Sequence, residues 1–172
     1  MADSILEAFI DRQQLHDILV ARWCVGIDTV NWKLYRSAFA DEVDVTMPDP
    51  ASAGASLSKS WSTEHWVEFV RQIEGFDASQ HYLSNFIYDI DGDTALVKTY
   101  LAAEHHLDGD YFTLGGQSTH TFERTPDGWK VVKVALIPWW TKGNKLLIAK
   151  AAERYLSNQA PRSTMAVTQS LP

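Results

Sequence analysis

Cysteine is nearly absent from this chain. Cys24 stands alone, so no internal disulfide can form, and a reducing compartment, the cytoplasm, is the expected location. Positive charge is also scarce. The 15 Lys and Arg against 22 Asp and Glu leave a net charge of -7, and a nucleic-acid partner, which needs clustered cations, is not expected. No apolar run approaches the roughly 20 residues that cross a bilayer, and the first residues are acidic and polar rather than basic then apolar, so neither a membrane segment nor a secretory leader is expected. Metal and phosphate motifs are missing too. His105 and His106 are adjacent on a stretch that reads as strand and so point apart, and no His-x-x-x-His or cysteine pair occurs, which excludes the common zinc patterns; no cofactor is expected. Gly115-Gly116 has no helix after it to make a phosphate loop. There is no repeat at roughly 20 to 50 residues. A chain of 172 residues fits one domain, 1–156, followed by a stretch, 157–172, with the composition of a disordered tail.

What is present is a run over 80–140 that reads as four consecutive strands, 80–90, 94–107, 111–124 and 129–140. The separators Asp91-Gly92-Asp93, Asp108-Gly109-Asp110 and Pro126-Asp127-Gly128 place glycine where a hairpin needs a positive φ, with aspartate to bond the turn. An antiparallel meander follows. Side-chain parity then assigns faces, because successive residues of a strand point to opposite sides. Ala95, Val97, Thr99, Leu101, Ala103 and His105 form one almost wholly apolar set, so His105 faces inward and His106 outward. The same rule turns Phe112, Leu114, Gly116, Ser118, His120 and Phe122 inward, unless a bulge at Gly115-Gly116 inverts it. In the first strand His81, Leu83, Asn85 and Ile87 are no more apolar than Tyr82, Ser84, Phe86 and Tyr88. The outward set Tyr100, Tyr111, Thr113, Thr119 and Thr121 is broad and lightly charged, and predicts a homodimer or homotrimer through that face. Trp139-Trp140 suits either core packing or a partner subunit.

Ahead of the meander, 4–40 reads as helical. Asp11 is a candidate N-cap, Leu15, Ile18, Leu19, Ala21, Trp23 and Val25 keep a helical rhythm, Gly26 closes or loosens the helix, and a second helix covers 31–40. Val43, Val45 and Met47 suggest a short strand, 48–60 a surface loop rich in Pro, Gly, Ala and Ser, 61–75 a helix capped by Ser62, and 144–155 a last helix. Helices segregated to one side of a curved antiparallel sheet make an α+β cone, and a cone open at one end is a pocket.

This order, together with Gly26-Ile27-Asp28-Thr29-Val30-Asn31-Trp32, Gln80-His81-Tyr82-Leu83-Ser84-Asn85, Asp91-Gly92-Asp93-Thr94-Ala95 and Asp127-Gly128-Trp129-Lys130-Val131, resembles the SnoaL-like branch of the superfamily typified by nuclear transport factor 2, with its cystatin-like (NTF2-like) cone. The resemblance covers roughly 8 to 142, and within the branch it is most similar to scytalone dehydratase and bile-acid 7α-dehydratase-type enzymes. It implies a helix-end Asp bonded to a His that opens the first long strand, matched by Asp28 and His81, and a second pocket His, matched by His105. A third-strand Ser and Asn fall near Gly116 and Ser118, so only part of that polar pair is kept. Two tyrosines that hold a water on the substrate carbonyl are matched by Ile27 and Met47, and that departure speaks against the same substrate.

The implied chemistry is that of a cofactor-free lyase, a dehydratase, or an isomerase. A carboxylate accepting from one imidazole nitrogen fixes the tautomer, and the other nitrogen can then take a proton next to a carbonyl. The substrate would be small, largely apolar and cyclic, aromatic, steroid-like or polyketide-like, with Ser118, Met47 and Ile27 lining its site. Plainer roles stand beside these. Asp28 read alone is a natural N-cap for the helix beginning near Asn31, a lone buried histidine is more often a core residue than a base, and Ser118 can simply bond the sheet. The same cone also serves non-catalytic β subunits of aromatic-ring-hydroxylating dioxygenases, which assemble with an iron-containing partner, and ligand-binding or dimerisation modules.

Overall fold

A computed structural model describes residues 2–48 and 56–157, with side chains from Ile5 onward. The tail expected over 158–172 and residues 49–55 of the expected loop lie outside the described residues. The chain opens with helix α1 (Ala2–Asp17), which continues without a break into a π-helical stretch, Ile18–Cys24, and then into the short α2 (Val25–Asp28). Leu15, Ile18, Leu19, Trp23, Cys24 and Ile27 recur every three to four or five residues along this rod and all are buried. Asp11 is therefore not a helix start. It lies inside α1, where its carboxylate accepts the Trp129 indole N–H at 2.9 Å and the Arg124 guanidinium at 2.8 Å, tying the helix to the far end of the sheet.

Helix α3 is shorter than the sequence suggests, Trp32–Arg36, because Phe39 already belongs to a strand. Its N-cap is Asn31, whose side-chain oxygen accepts from Leu34 N at 3.1 Å. Gly26 neither ends nor loosens a helix. A Cβ there would lie 2.7–2.9 Å from the backbone and Cβ of Tyr35, so glycine is what lets α2 and α3 touch.

Six strands form one curved, mixed sheet in the order β2-β1-β6-β5-β4-β3. The meander is as the turns imply: β3 (Ala78–Asp91), β4 (Thr94–Leu107), β5 (Asp110–Thr125) and β6 (Gly128–Gly143) pair antiparallel, with Gly92, Gly109 and Gly128 at positive φ in the turns. Strand β1 (Phe39–Pro48) adds to β6 in parallel, the one parallel pairing of the sheet, and β2 (Ser56–Ser62) pairs antiparallel with β1. Part of the expected 48–60 loop is thus a strand, and Trp61 belongs to it instead of starting a helix. Ser62 caps α4 (Thr63–Val70) as expected, a 3-10 turn follows over Arg71–Gly75, and α5 (Leu147–Leu156) packs back on that turn.

Parity along β4 and β5 is unbroken. Ala95, Val97, Thr99, Leu101, Ala103 and His105 are all buried, as are Phe112, Ser118, His120 and Phe122. The register shift at Gly115 and Gly116 arises on the neighbouring strand, where Trp139 is the extra residue, so the inward order of β5 survives. Strand β3 does bulge. Asn85 sits at φ 55, two residues of β3, Asn85 and Phe86, oppose Thr99 of β4, and the inward set changes from Ser79, His81 and Leu83 to Phe86, Tyr88 and Ile90. This break in parity is why neither alternating set of that strand reads as the apolar one. Beneath the inner face one cluster joins the helices to the sheet, with Trp129, Tyr35, Phe39, Phe122, Leu15 and Leu19 almost fully enclosed.

Gly26→Ala is expected to lower stability by about 1–3 kcal/mol, the usual effect of forcing a methyl into a packed contact. Urea unfolding of the two proteins measures it; an unchanged midpoint would show that α2 and α3 can separate freely.

Candidate active site

Asp28 is the last residue of α2, and His81 lies near the start of β3. The carboxylate grips His81 twice: Oδ2 accepts the backbone N–H at 2.8 Å and Oδ1 lies 2.6 Å from the ring Nδ1. A carboxylate placed at a helix C-terminus faces the negative end of the dipole, an unfavourable position by roughly 0.3–1 kcal/mol, and the two hydrogen bonds offset it. Because the carboxylate only accepts, Nδ1 carries the hydrogen and Nε2 presents a lone pair. The His81 side chain is 9% exposed and that of Asp28 18%, so the pair is sheltered but within reach of a ligand. Asn31, not Asp28, caps α3, and this frees the carboxylate for the histidine.

His105 stands beside the pair, its ring edge-on to His81 with centroids 5.5 Å apart. It is held by a stack on Phe76 at 4.8 Å, a more distant stack on Phe112 at 6.2 Å, and a 3.0 Å bond between its Nδ1 and Ser79 Oγ. The Trp23 ring lies edge-on to His81 on another side at 5.8 Å and reaches His120 at 5.5 Å. His120 and Ser118 are both fully buried, and Ser118 Oγ lies 3.3 and 3.2 Å from the two ring nitrogens, close enough to bond either one. Burial drives the His120 imidazole down to about 3, so it is neutral in ordinary buffers. Burial likewise pushes the Cys24 thiol up to about 12, with the Asp28 charge adding to the effect, so this thiol is no thiolate nucleophile.

Of the residues singled out in the sequence, Asp28, His81 and His105 come together. Ser118 is packed with His120, whose ring meets Trp23, which in turn meets His81. Ile27 is buried in the core and Met47 packs half-buried against it. Trp23, Ser79 and Phe76 were missed. Parity carried to 79 would have found Ser79, two positions before His81 on one face, whereas Trp23 looks like any core residue of a helical stripe. Among the described residues no three His, Cys, Asp or Glu side chains gather in a way that could hold a metal ion.

A helical layer on the concave face of a curved sheet, with a carboxylate–imidazole pair turned inward, defines an α+β cone of the cystatin-like type. The chain belongs to the SnoaL-like domain family, whose model matches residues 8–135. No curated protein matches it. Among solved structures it is similar to protein Kfla4162 from Kribbella flavida, with 22% identity and a TM-score of 0.73 over 83% of this chain and 99% of that one. It is also similar to a protein from Novosphingobium aromaticivorans provisionally assigned as a scytalone dehydratase, at 16% identity and a TM-score of 0.66 over 84% and 92%. A type 2 hexachlorocyclohexane dehydrochlorinase, LinA, matches at 13% identity and 0.65 over 84% and 93%. At these identities the likeness is one of fold.

His120 supplies a pH test. Its folded value, about 3, lies below the ordinary value of 6.5, so the unfolded chain binds the extra proton in between. Stability is retained above pH 6.5 and falls as pH drops toward 3, by up to about 1.4 kcal/mol per pH unit from this group. Denaturation midpoints of the native protein and His120→Gln, followed from pH 7 to 4, should diverge in slope; parallel curves would mean that His120 charges freely in the fold.

Proposed function

We propose that this protein is a cofactor-free lyase that carries out β-elimination on a small, largely apolar cyclic substrate, with His81 as the general base. The observation that carries the reading is the 2.6 Å contact between Asp28 and His81 Nδ1, which leaves Nε2 to take a proton. Nε2 removes a hydrogen from the carbon next to an electron-withdrawing group; the C–H electrons form the new double bond and the β substituent leaves with its bonding pair. Asp28 then stabilises the imidazolium that forms. His105, a little over 5 Å away ring to ring, is the group we assign to meeting the departing oxygen. The names of two similar structures, a dehydratase and a dehydrochlorinase, each describe loss of a hydrogen and a neighbouring substituent, which agrees with this reading. Return of the proton to another carbon would make the same site an isomerase.

A panel of cyclic β-hydroxyketones, followed by absorbance of the enone formed, tests the assignment. His81→Ala is expected to lose about 10²–10⁴-fold in kcat, the usual worth of a positioned base. Asp28→Asn is expected to lose about 10²-fold or more with its melting temperature little changed, since an amide holds the ring less well and cannot stabilise its charge. Wild type and His81→Ala equally inert across the panel would sink the proposal.

We also propose that the protein works as a homodimer or homotrimer through the outer face of the sheet. Tyr82, Tyr100, Tyr111, Ile137, Trp139 and Trp140 are all about half exposed there, and Tyr100 and Trp139 already pair edge-on at 5.2 Å. Neither tryptophan is a core residue. Sedimentation at micromolar concentration should show an oligomer that Tyr100→Glu with Trp139→Glu disperses, and a monomeric native protein would overturn the assignment.

A further inference from the structure

Away from the histidine pair, a hollow of about 250 Å³ lies between α1 and β3, lined by Phe9, Arg12, Gln13, His16 and Tyr88. The bulge at Asn85 is what shapes it. Past that point Phe86 and Tyr88 turn inward, their rings nearly parallel at 6.0 Å, and His16 of α1 rests tilted on Phe86 at 4.8 Å. Phe9, 65% exposed, extends this aromatic wall from the helix side with nothing packed over it. Small-molecule sites are commonly of this kind, apolar walls with a few polar groups that fix orientation.

The polar groups here are donors without acceptors. Arg36, Arg71, Arg124 and Arg154 each lie within 3.9 Å of two carboxylates. The Arg12 guanidinium has no hydrogen bond or ion pair with any described residue, in a chain whose acids outnumber its bases by 22 to 15. The half-buried Tyr88 hydroxyl has no hydrogen-bond partner among the described residues either. Burial holds that phenol above its ordinary ionisation range against the pull of the Arg12 charge, so it keeps its proton to donate. Asp17 does not supply the acceptor, because its Oδ1 takes the Gln13 amide at 2.8 Å and faces His16 Nδ1 at 3.7 Å. A planar guanidinium and a phenol O–H beside flat rings match a carboxylate carried on a ring. We propose that this hollow is a second binding site, for a small aromatic carboxylate whose anion takes Arg12 and the Tyr88 hydroxyl while its ring lies against Phe9. Tyr88 is seven residues along β3 from His81, roughly 20 Å at the usual rise of a strand, so one small ligand cannot touch both. The site stands whether or not His81 acts as a base.

The probe is 2-naphthoate, compared with 2-naphthamide, which has the same rings and no charge. Calorimetry on the full chain should show the acid bound at least about tenfold more tightly, the usual worth of a hydrogen bond to a charged group. Arg12→Gln should abolish the preference with the melting temperature unchanged, since the guanidinium holds no partner in the fold. Arg12→Lys, which keeps the charge without the paired donors, should retain part of it, and Tyr88→Phe should lower it about threefold. His81→Ala should leave it intact. Acid and amide binding equally, or neither binding at millimolar concentration, overturns the proposal. A preference that survives Arg12→Gln, or that is lost in His81→Ala, puts the anion inside the cone and overturns it as well.

Discussion

One carboxylate joins the two layers at the place where the chemistry is assigned. Asp28 ends the helical rod, and both of its oxygens are committed to His81, one to the backbone at the head of the sheet and one to the ring. Position and tautomer of the imidazole are thereby set by a single side chain. The chain around it is shaped to present that side chain. Gly26 admits Tyr35 at contact distance, and Val30 takes a left-handed φ of 58 immediately before the Asn31 cap. For a β-branched residue that conformation is strained by roughly 1–3 kcal/mol, and it is held by bonds from Val30 N to Ile27 O and Asn31 N to Gly26 O. Strain two residues from the carboxylate marks the turn as one that the surrounding packing imposes.

The three inward histidines of the sheet show how surroundings alone divide one residue type into different parts. His81 has a charged partner, His105 is pinned between two phenylalanines with a serine hydroxyl on its Nδ1, and His120 is sealed in with Ser118 and kept neutral by burial. The first has a carboxylate on its ring, an acceptor able to stabilise an imidazolium. The sheet supplies all three, and the helical rod reaches two of them, setting the Asp28 carboxylate on His81 and the Trp23 ring against both His81 and His120.

The meander was legible because its turns are spelled in residues with a single conformational use, and the inward faces of β4 and β5 because no bulge interrupts them. The dyad was legible only through resemblance. Asp28 is as good a cap as a partner until Asn31 is seen to cap α3, and the His81 strand hides its parity at Asn85. Strand β2 alternates Leu57 and Trp61 with serine, a two-residue rhythm masked by a composition that also suits loops. The Trp23 contact with His81 left no trace in the sequence, since a tryptophan at helical spacing looks the same whether it meets a histidine ring or only the core.

The parallel pairing of β1 with β6 also bears on how the molecule is assembled. Val45 lies beside Val134 and Phe39 beside Val131, strands separated by almost the whole of the meander. As the chain leaves the ribosome, β1 and β2 can form only a two-stranded ribbon, which is marginal alone, until the last strand of the sheet has emerged. The loop closed by this contact is among the longest available to the chain, and such contacts form late and slowly. The N-terminal helices thus wait beside an unfinished sheet, and the rate at which β6 docks governs how long their apolar stripe stays exposed to other chains.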